Sequence, residues 1–250
     1  MTETEPRVFL FLQGPHGPFF NRLARALAAK GAEVMRVAFN ASDEAEWGSA
    51  GPLLRYNDTS DQFSAWLIQR IEAHGVTDIV LYGDTRPVHQ EALRIARERG
   101  LLTHCLEEGY LRPSWITYER QGNNGNSVLM STSLPRMAQV LGRVTKPEEE
   151  APATWGDARQ HLWHSALYHA RCLLPTRRYG RMGGHRDAPL LQECRWYWSR
   201  TAKMPWIWLR RSIQQWLLLR SSKTFHLVLL QLSFDASVQV HSDFESTSHF

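Results

Sequence analysis

The stretch Asp78–Gly109, DIVLYGDTRPVHQEALRIARERGLLTHCLEEG, decides the fold. Asp78–Tyr82 is a short apolar run with β-branched content and reads as a buried strand. Gly83-Asp84-Thr85-Arg86-Pro87 is its exit loop, because glycine and proline interrupt regular structure. Val88–Arg99 reads as a helix and Gly100 supplies its stop. Leu101–Leu106 is apolar again, a second buried strand leading through Glu107 and Glu108 to an end at Gly109. Strand, helix and strand in this order make a parallel pair joined by a crossover helix.

The same grammar extends upstream. Val8-Phe9-Leu10-Phe11-Leu12 is a strand, and Gln13-Gly14-Pro15-His16-Gly17-Pro18 a turn. Phe19–Lys30 follows a helical period through Phe20, Leu23 and Leu27, with Gly31 as its stop. Val34–Phe39 is a strand, Asn40–Asp61 a polar loop or broken helix, and Phe63–His74 an amphipathic helix closed by Gly75. The expected class is α/β with a parallel sheet. Right-handed crossovers put all strand ends on one edge. Three loops then converge there: Gln13-Gly14-Pro15, Gly83-Asp84-Thr85-Arg86 and Glu107-Glu108-Gly109. After Thr117 the pattern changes. Residues 121–127 form a turn rich in asparagine and glycine, and Lys146–Pro152 is an acidic linker. Trp155–Leu173 and Glu193–Leu219 read as basic helices, and Thr224–Leu232 as a strand opening a second sheet. The division is 1–145, 146–223 and 224–250.

The composition is that of a globular protein, with 250 residues, 43% hydrophobic and 22% charged. The polar, acidic N-terminus is unlike a signal peptide. No apolar run approaches the roughly 18 residues that span a bilayer. Cys105, Cys172 and Cys194 are few and widely spaced, which suits free thiols in a reducing cytoplasm rather than disulfides or a zinc site. The net charge of +4 hides an asymmetry: Arg159–Lys223 holds 13 Lys and Arg against 2 Asp and Glu, and six of the ten tryptophans. Such a segment suits an anionic lipid surface or nucleic acid. Equally, it suits a helical subdomain with a tryptophan core and a solvated arginine face.

Glu107 and Glu108 sit where an open α/β sheet exposes its ligand crevice. Like charges this close raise at least one pKa, which suits general acid or base chemistry; the plain alternative is two surface glutamates. Gln13 and Gly14 lie in a turn where a ligand could approach the backbone and where a helix N-terminus favours an anion; a tight turn explains them as well. The pattern is neither GxGxxG nor a P-loop, so nicotinamide and ATP are not indicated. Arg86 suits bidentate binding of carboxylate or phosphate, Asp84 a sugar hydroxyl or Arg86 itself, and His89 capping or binding. Tyr110, Arg112 and Trp115 add donors and stacking faces, and Asn123, Asn124 and Asn126 add amides. No cluster of acids and histidines has metal-ligand spacing.

Residues 10–20, 82–89, 107–117, 124–127 and 231–242 together resemble the KpsS/LipB-type capsule polysaccharide family. The resemblance implies Gram-negative capsule biosynthesis and export, a GT-B-like fold with two Rossmann-like domains, and transfer of Kdo from CMP-Kdo to a phosphatidylglycerol lipid. It implies no cofactor besides the donor substrate, a cytoplasmic place against the inner membrane, partners in the capsule assembly and export machinery, and no nucleic acid. The run 107–109 also resembles the acidic-acidic-glycine motif of bacterial sialyltransferases, which implies that Glu108, or second Glu107, assists the acceptor hydroxyl. The 231–242 match makes Gln231, Asp235, Gln239, His241 and Ser242 donor-side candidates. The family's His-Pro motif does not occur in the sequence. The expectation is therefore a donor domain that begins near Thr224 and is truncated. The other expectation is a non-catalytic binding or scaffolding component of the same complex.

Overall fold

The computed structural model describes residues 6–109, 115–144, 158–173, 179, 190–221 and isolated positions between 224 and 247. The chain forms two units, one through His185 and one from Arg186.

The first unit is built on a six-stranded sheet. Its strands are β1 (Val8–Phe11), β2 (Glu33–Ala38), β3 (Leu53–Arg55), β4 (Asp78–Tyr82), β5 (Leu102–Glu108) and β6 (Ile116–Glu119). The spatial order is β3-β2-β1-β4-β5-β6. All pairings are parallel except β5 with β6. This is an α/β, Rossmann-like sheet with an antiparallel edge strand. Helices α1 (Phe19–Ala28), α2 (Ala41–Trp47), α3 (Phe63–His74) and α4 (Pro87–Arg99) connect the strands.

Alternation along the strands sorts the apolar residues onto two faces. Leu10, Leu12, Met35, Ile79, Leu81 and Cys105 pack with Phe63, Leu67 and Ile71 of α3 and Ala92, Ile95 and Ala96 of α4. Phe9, Phe11, Val34, Val80 and Leu106 pack with Phe20 and Ala24 of α1 and Trp47 of α2. Each large apolar side chain so buried contributes roughly 2 kcal/mol before the entropy of ordering it. Because α1 and α4 cover opposite faces, the chain reverses direction between β1 and β4. In open α/β sheets such a switch point, at the carboxyl ends of the strands, is where ligands bind.

Several boundaries differ from the sequence reading. The polar segment 40–61 contains α2 and β3. Asn40 starts α2 by accepting hydrogen bonds from the Ser42 and Asp43 amides, both at 2.9 Å. Strand β5, by contrast, runs through both glutamates and ends before Gly109, as its glycine stop indicates, and β6 pairs with it in the register Glu107↔Thr117 and Glu108↔Ile116. Beyond the sheet lie α5 (Leu134–Leu141) and α6 (Ala158–Leu173), and the second unit contains α7 (Leu190–Arg220). Pro205 lies inside α7. The run Thr224–Leu232 falls largely outside the described residues.

Candidate functional site

Asp84 follows the end of β4 and the left-handed Gly83, whose φ is +70°. Its carboxylate is buried, 1% exposed. Oδ2 accepts from the Asn123 amide at 2.8 Å and from the Asn126 side-chain amide at 3.0 Å. Asp84 Oδ1 and Asn123 Oδ1 are also buried and have no hydrogen-bond partner among the described residues. Glu107 Oε2 accepts from Asn124 Nδ2 at 2.7 Å and from Asn123 Nδ2 at 3.5 Å. The asparagine loop is pinned at its start by the Gln121 amide, which donates to Thr103 Oγ1 at 3.1 Å. Its far end is held by Ser127, whose hydroxyl donates to Glu119. Gln121 and Asn124 take positive φ, 78° and 49°; asparagine tolerates this conformation better than most residues. Gly122 is required by proximity: a Cβ there would lie 2.7 Å from Asn126 Cβ and 3.0 Å from Asp84 Oδ2.

The two glutamates do not act as one group. Consecutive strand residues point to opposite faces, so Glu107 lies with Cys105 on the α4 side and Glu108 with Leu106 on the α1 side. Glu107 is half-buried and bound by the loop amides, whereas Glu108 is exposed. Gly109 follows the end of β5. Its amide donates to the Trp115 carbonyl at 2.9 Å, and a Cβ would stand 2.6 Å from that backbone.

Arg86 precedes Pro87 at the start of α4, in extended backbone. Burial raises the Asp43 pKa and lowers that of His89; the Arg86 charge opposes the first shift and adds to the second. His89 is fully buried, and its Nδ1–H donates to the Gly83 carbonyl at 2.6 Å. Burial, reinforced by Arg86, pushes its pKa down to about 3. A neutral imidazole therefore braces the Asp84 loop from inside the fold, away from the surface.

The first turn is packed. Gln13 is buried, and a Cβ on Gly14 would come 2.6 Å from the Phe20 ring. The His16 ring stacks on Tyr168 of α6 at 4.2 Å between centroids. Asn40 Nδ2 donates to the Tyr168 hydroxyl at 3.2 Å. The Gly17 amide donates to Glu46 Oε1 at 2.9 Å. Burial raises the Glu46 carboxyl to about 7. Beneath it Arg36 and Asp43 form a buried pair at 2.8 Å, and burial raises the Asp43 pKa despite that partner.

Residues 77–250 match the family described as capsule polysaccharide biosynthesis protein. The chain belongs to that family. It is 32% identical over 249 residues to the capsule polysaccharide modification protein LipB of Neisseria meningitidis, serogroup A / serotype 4A. That alignment covers 96% of this chain and 58% of LipB. Identity to the capsule polysaccharide export protein KpsS of Escherichia coli is 29%, over 97% of this chain and 61% of KpsS. The chain thus spans about three-fifths of the length of these relatives.

Within this capsule-family chain, Asp84, Glu107, Asn124 and Asn126 are joined into one network on the carboxyl edge of β4 and β5. Trp115 borders it at Gly109 and is 37% exposed. Tyr110, Arg112, Gln231, Asp235 and Gln239 lie outside the described residues. His241 and Ser242 belong to the second unit, where the Ser242 hydroxyl donates to the Val238 carbonyl at 2.6 Å. Sequence reasoning did not single out Thr103, Gly122, Glu46 or Asp43. Their roles depend on partners far along the chain, and only the density of asparagine at 123–126 signalled the loop. Among the described residues no group of three or more His, Cys, Asp or Glu could hold a metal ion. Nor is any helix among them long and apolar enough to cross a membrane.

Proposed function

We propose that this chain carries the acceptor side of a glycosyl transfer from CMP-Kdo to a phosphatidylglycerol-type lipid, the step that starts a capsule linker. The observation that supports the reading is the network of Asp84, Glu107 and the asparagine loop at the sheet's carboxyl edge, in a chain of the capsule biosynthesis family. Glu108 takes or steers the proton of the acceptor hydroxyl as the new glycosidic bond forms at the sugar's anomeric carbon and CMP departs. Glu107, held by two amides, positions the loop. Arg86 pairs with an anionic group of lipid or sugar. Positioning and fixed charge supply most of the acceleration.

The test is incubation of the protein with CMP-Kdo and phosphatidylglycerol vesicles, with lipid products followed by mass spectrometry. Kdo-bearing lipid is the expected product, and Glu108→Gln lowers its rate by about 100-fold. Undiminished turnover by that variant removes Glu108 from the role. No product from the unaltered protein overturns the transfer reading for this chain. The same reading makes the protein peripheral to an anionic membrane leaflet and a partner of capsule assembly and export machinery. Supporting it, α7 exposes Trp196, Trp198, Trp206, Trp208 and Trp216 by 52–78% among exposed arginines. Aromatic faces beside cations suit a headgroup region.

A further inference from the structure

From the amino end of β4, across β5 to the edge strand β6, a hydrogen-bonded chain runs from a buried acid to an exposed hydroxyl. Asp78, the first residue of β4, is fully buried and takes hydrogen bonds from Arg7, Thr77 and His104. The His104 Nε2 contact is 2.7 Å. On its other side His104 Nδ1 meets the Tyr118 hydroxyl at 2.8 Å, with the two rings 17° from parallel. Tyr118 stands on the edge strand β6 and is 51% exposed.

The protons in this chain follow from its partners. Burial pushes the Asp78 carboxyl up, but hydrogen bonds from Arg7, Thr77 and His104 outweigh it and hold the group below its ordinary value. Asp78 is therefore a carboxylate and only accepts, so His104 Nε2 carries the hydrogen. Burial lowers the His104 pKa against the opposing pull of Asp78, and Arg120 and Arg7 lower it further. The imidazole is then neutral near pH 7, and Nδ1 presents a lone pair to the Tyr118 O–H. An acid that orients a base, and a base bonded to a hydroxyl, is the arrangement that activates a nucleophile. The half-exposed guanidinium of Arg7 interacts electrostatically with Tyr118, and Arg120 with His104. A cation interacting with the hydroxyl and a second with the imidazole favour an anionic electrophile.

We propose that Tyr118 is a nucleophilic site, distinct from the Asp84–Glu107–asparagine network, that accepts a phosphoryl group from a phosphoanhydride. The Tyr118 Oη–P bond forms as the bridging P–O bond breaks. The leaving phosphate departs as its anion, and the phenol proton passes to His104 Nδ1. Asp78 holds the resulting imidazolium, and Arg7 stabilises charge on the transferring group.

A fluorophosphonate tests the site directly, because the same attack expels fluoride and leaves a stable phosphonyl ester. Labelling is followed by peptide mass spectrometry at pH 7. Tyr118 is expected to react about 100-fold faster than N-acetyltyrosine amide, and Tyr118→Phe to abolish that label. His104→Gln, with folding checked by circular dichroism, should return Tyr118 to the rate of the free amide. In the unaltered protein the rate should rise and level off below pH 7, as His104 loses its proton. That profile needs no variant to fold. A rate equal to that of free tyrosine, or one that does not level off below pH 7, overturns the proposal.

Discussion

Asp84 shows how one buried side chain organises a loop some forty residues away. Its Oδ2 satisfies both the Asn123 amide and the Asn126 side chain. Asp84→Ala leaves these donors unpaired inside the protein, and the expected loss is about 3 kcal/mol, measured by urea unfolding. A change under 0.5 kcal/mol would show that the loop does not depend on it. Glu46 makes a second prediction. Its folded pKa of about 7 stands above the ordinary 4.5, so the folded chain keeps a proton that the unfolded chain releases. The stability from this group is complete below pH 4.5 and is lost as pH rises through 7, on the order of 3 kcal/mol in all. His89 has the opposite sign: with its pKa depressed to about 3, it removes stability as pH falls below 6.5. Comparing the unaltered protein with Glu46→Gln at pH 5.5 and pH 8 isolates the first effect. The unaltered protein should lose more stability over that range, and identical slopes would refute the assignment.

The elements were unequally legible. Strands β1, β2, β4 and β5 and helices α1, α3 and α4 follow from apolar runs and glycine stops, which are local signals. Strand β3 has three residues and β6 four, too short for alternation to stand out. Strand β6 exists because the chain returns at Trp115 to accept the Gly109 amide. That closure predicts the behaviour of Gly109→Ala. The added methyl meets Trp115 backbone, which cannot rotate away as a side chain could, so β6 must shift against β5. About 2 kcal/mol of stability should be lost, and hydrogen exchange should rise in β6 before it rises in β1 or β4. Uniform exchange across the sheet would contradict this. In α2, Asn40→Ala removes the cap and should lower stability by about 1 kcal/mol. An unchanged melting temperature would argue that neither the cap nor the Tyr168 contact of Asn40 stabilises the fold.

Across the whole molecule, the basic and tryptophan-rich composition of residues 159–223 is distributed over both units. Its α6 part packs against α2 and the first turn in one unit, and its α7 part exposes tryptophans in the other. Composition alone left a tryptophan core and an exposed docking face equally open. In α7 the described tryptophans are exposed and form no core, and vesicle binding is the measurement that tests docking. Flotation with vesicles should show binding that grows with phosphatidylglycerol content and falls several-fold between 50 and 500 mM salt, roughly as screening requires. Replacing Trp206 and Trp208 with alanine should weaken it at every salt concentration. Equal binding to neutral vesicles would exclude the electrostatic part.

By itself, the sequence determined four of the six strands, helices α1, α3 and α4, the parallel sheet and the placing of the β1, β4 and β5 exits on one edge. Those outcomes rest on periodicity, glycine stops and the handedness of crossovers, all of which act over short lengths of chain. Only the tertiary structure decided that Glu107 and Glu108 face opposite ways, that the asparagine loop closes on Asp84, and that Asp78, His104 and Tyr118 touch. Hydrogen-bond partners are chosen by where distant segments return and in what register they pair. A single step in that register exchanges every side chain between the faces of a sheet.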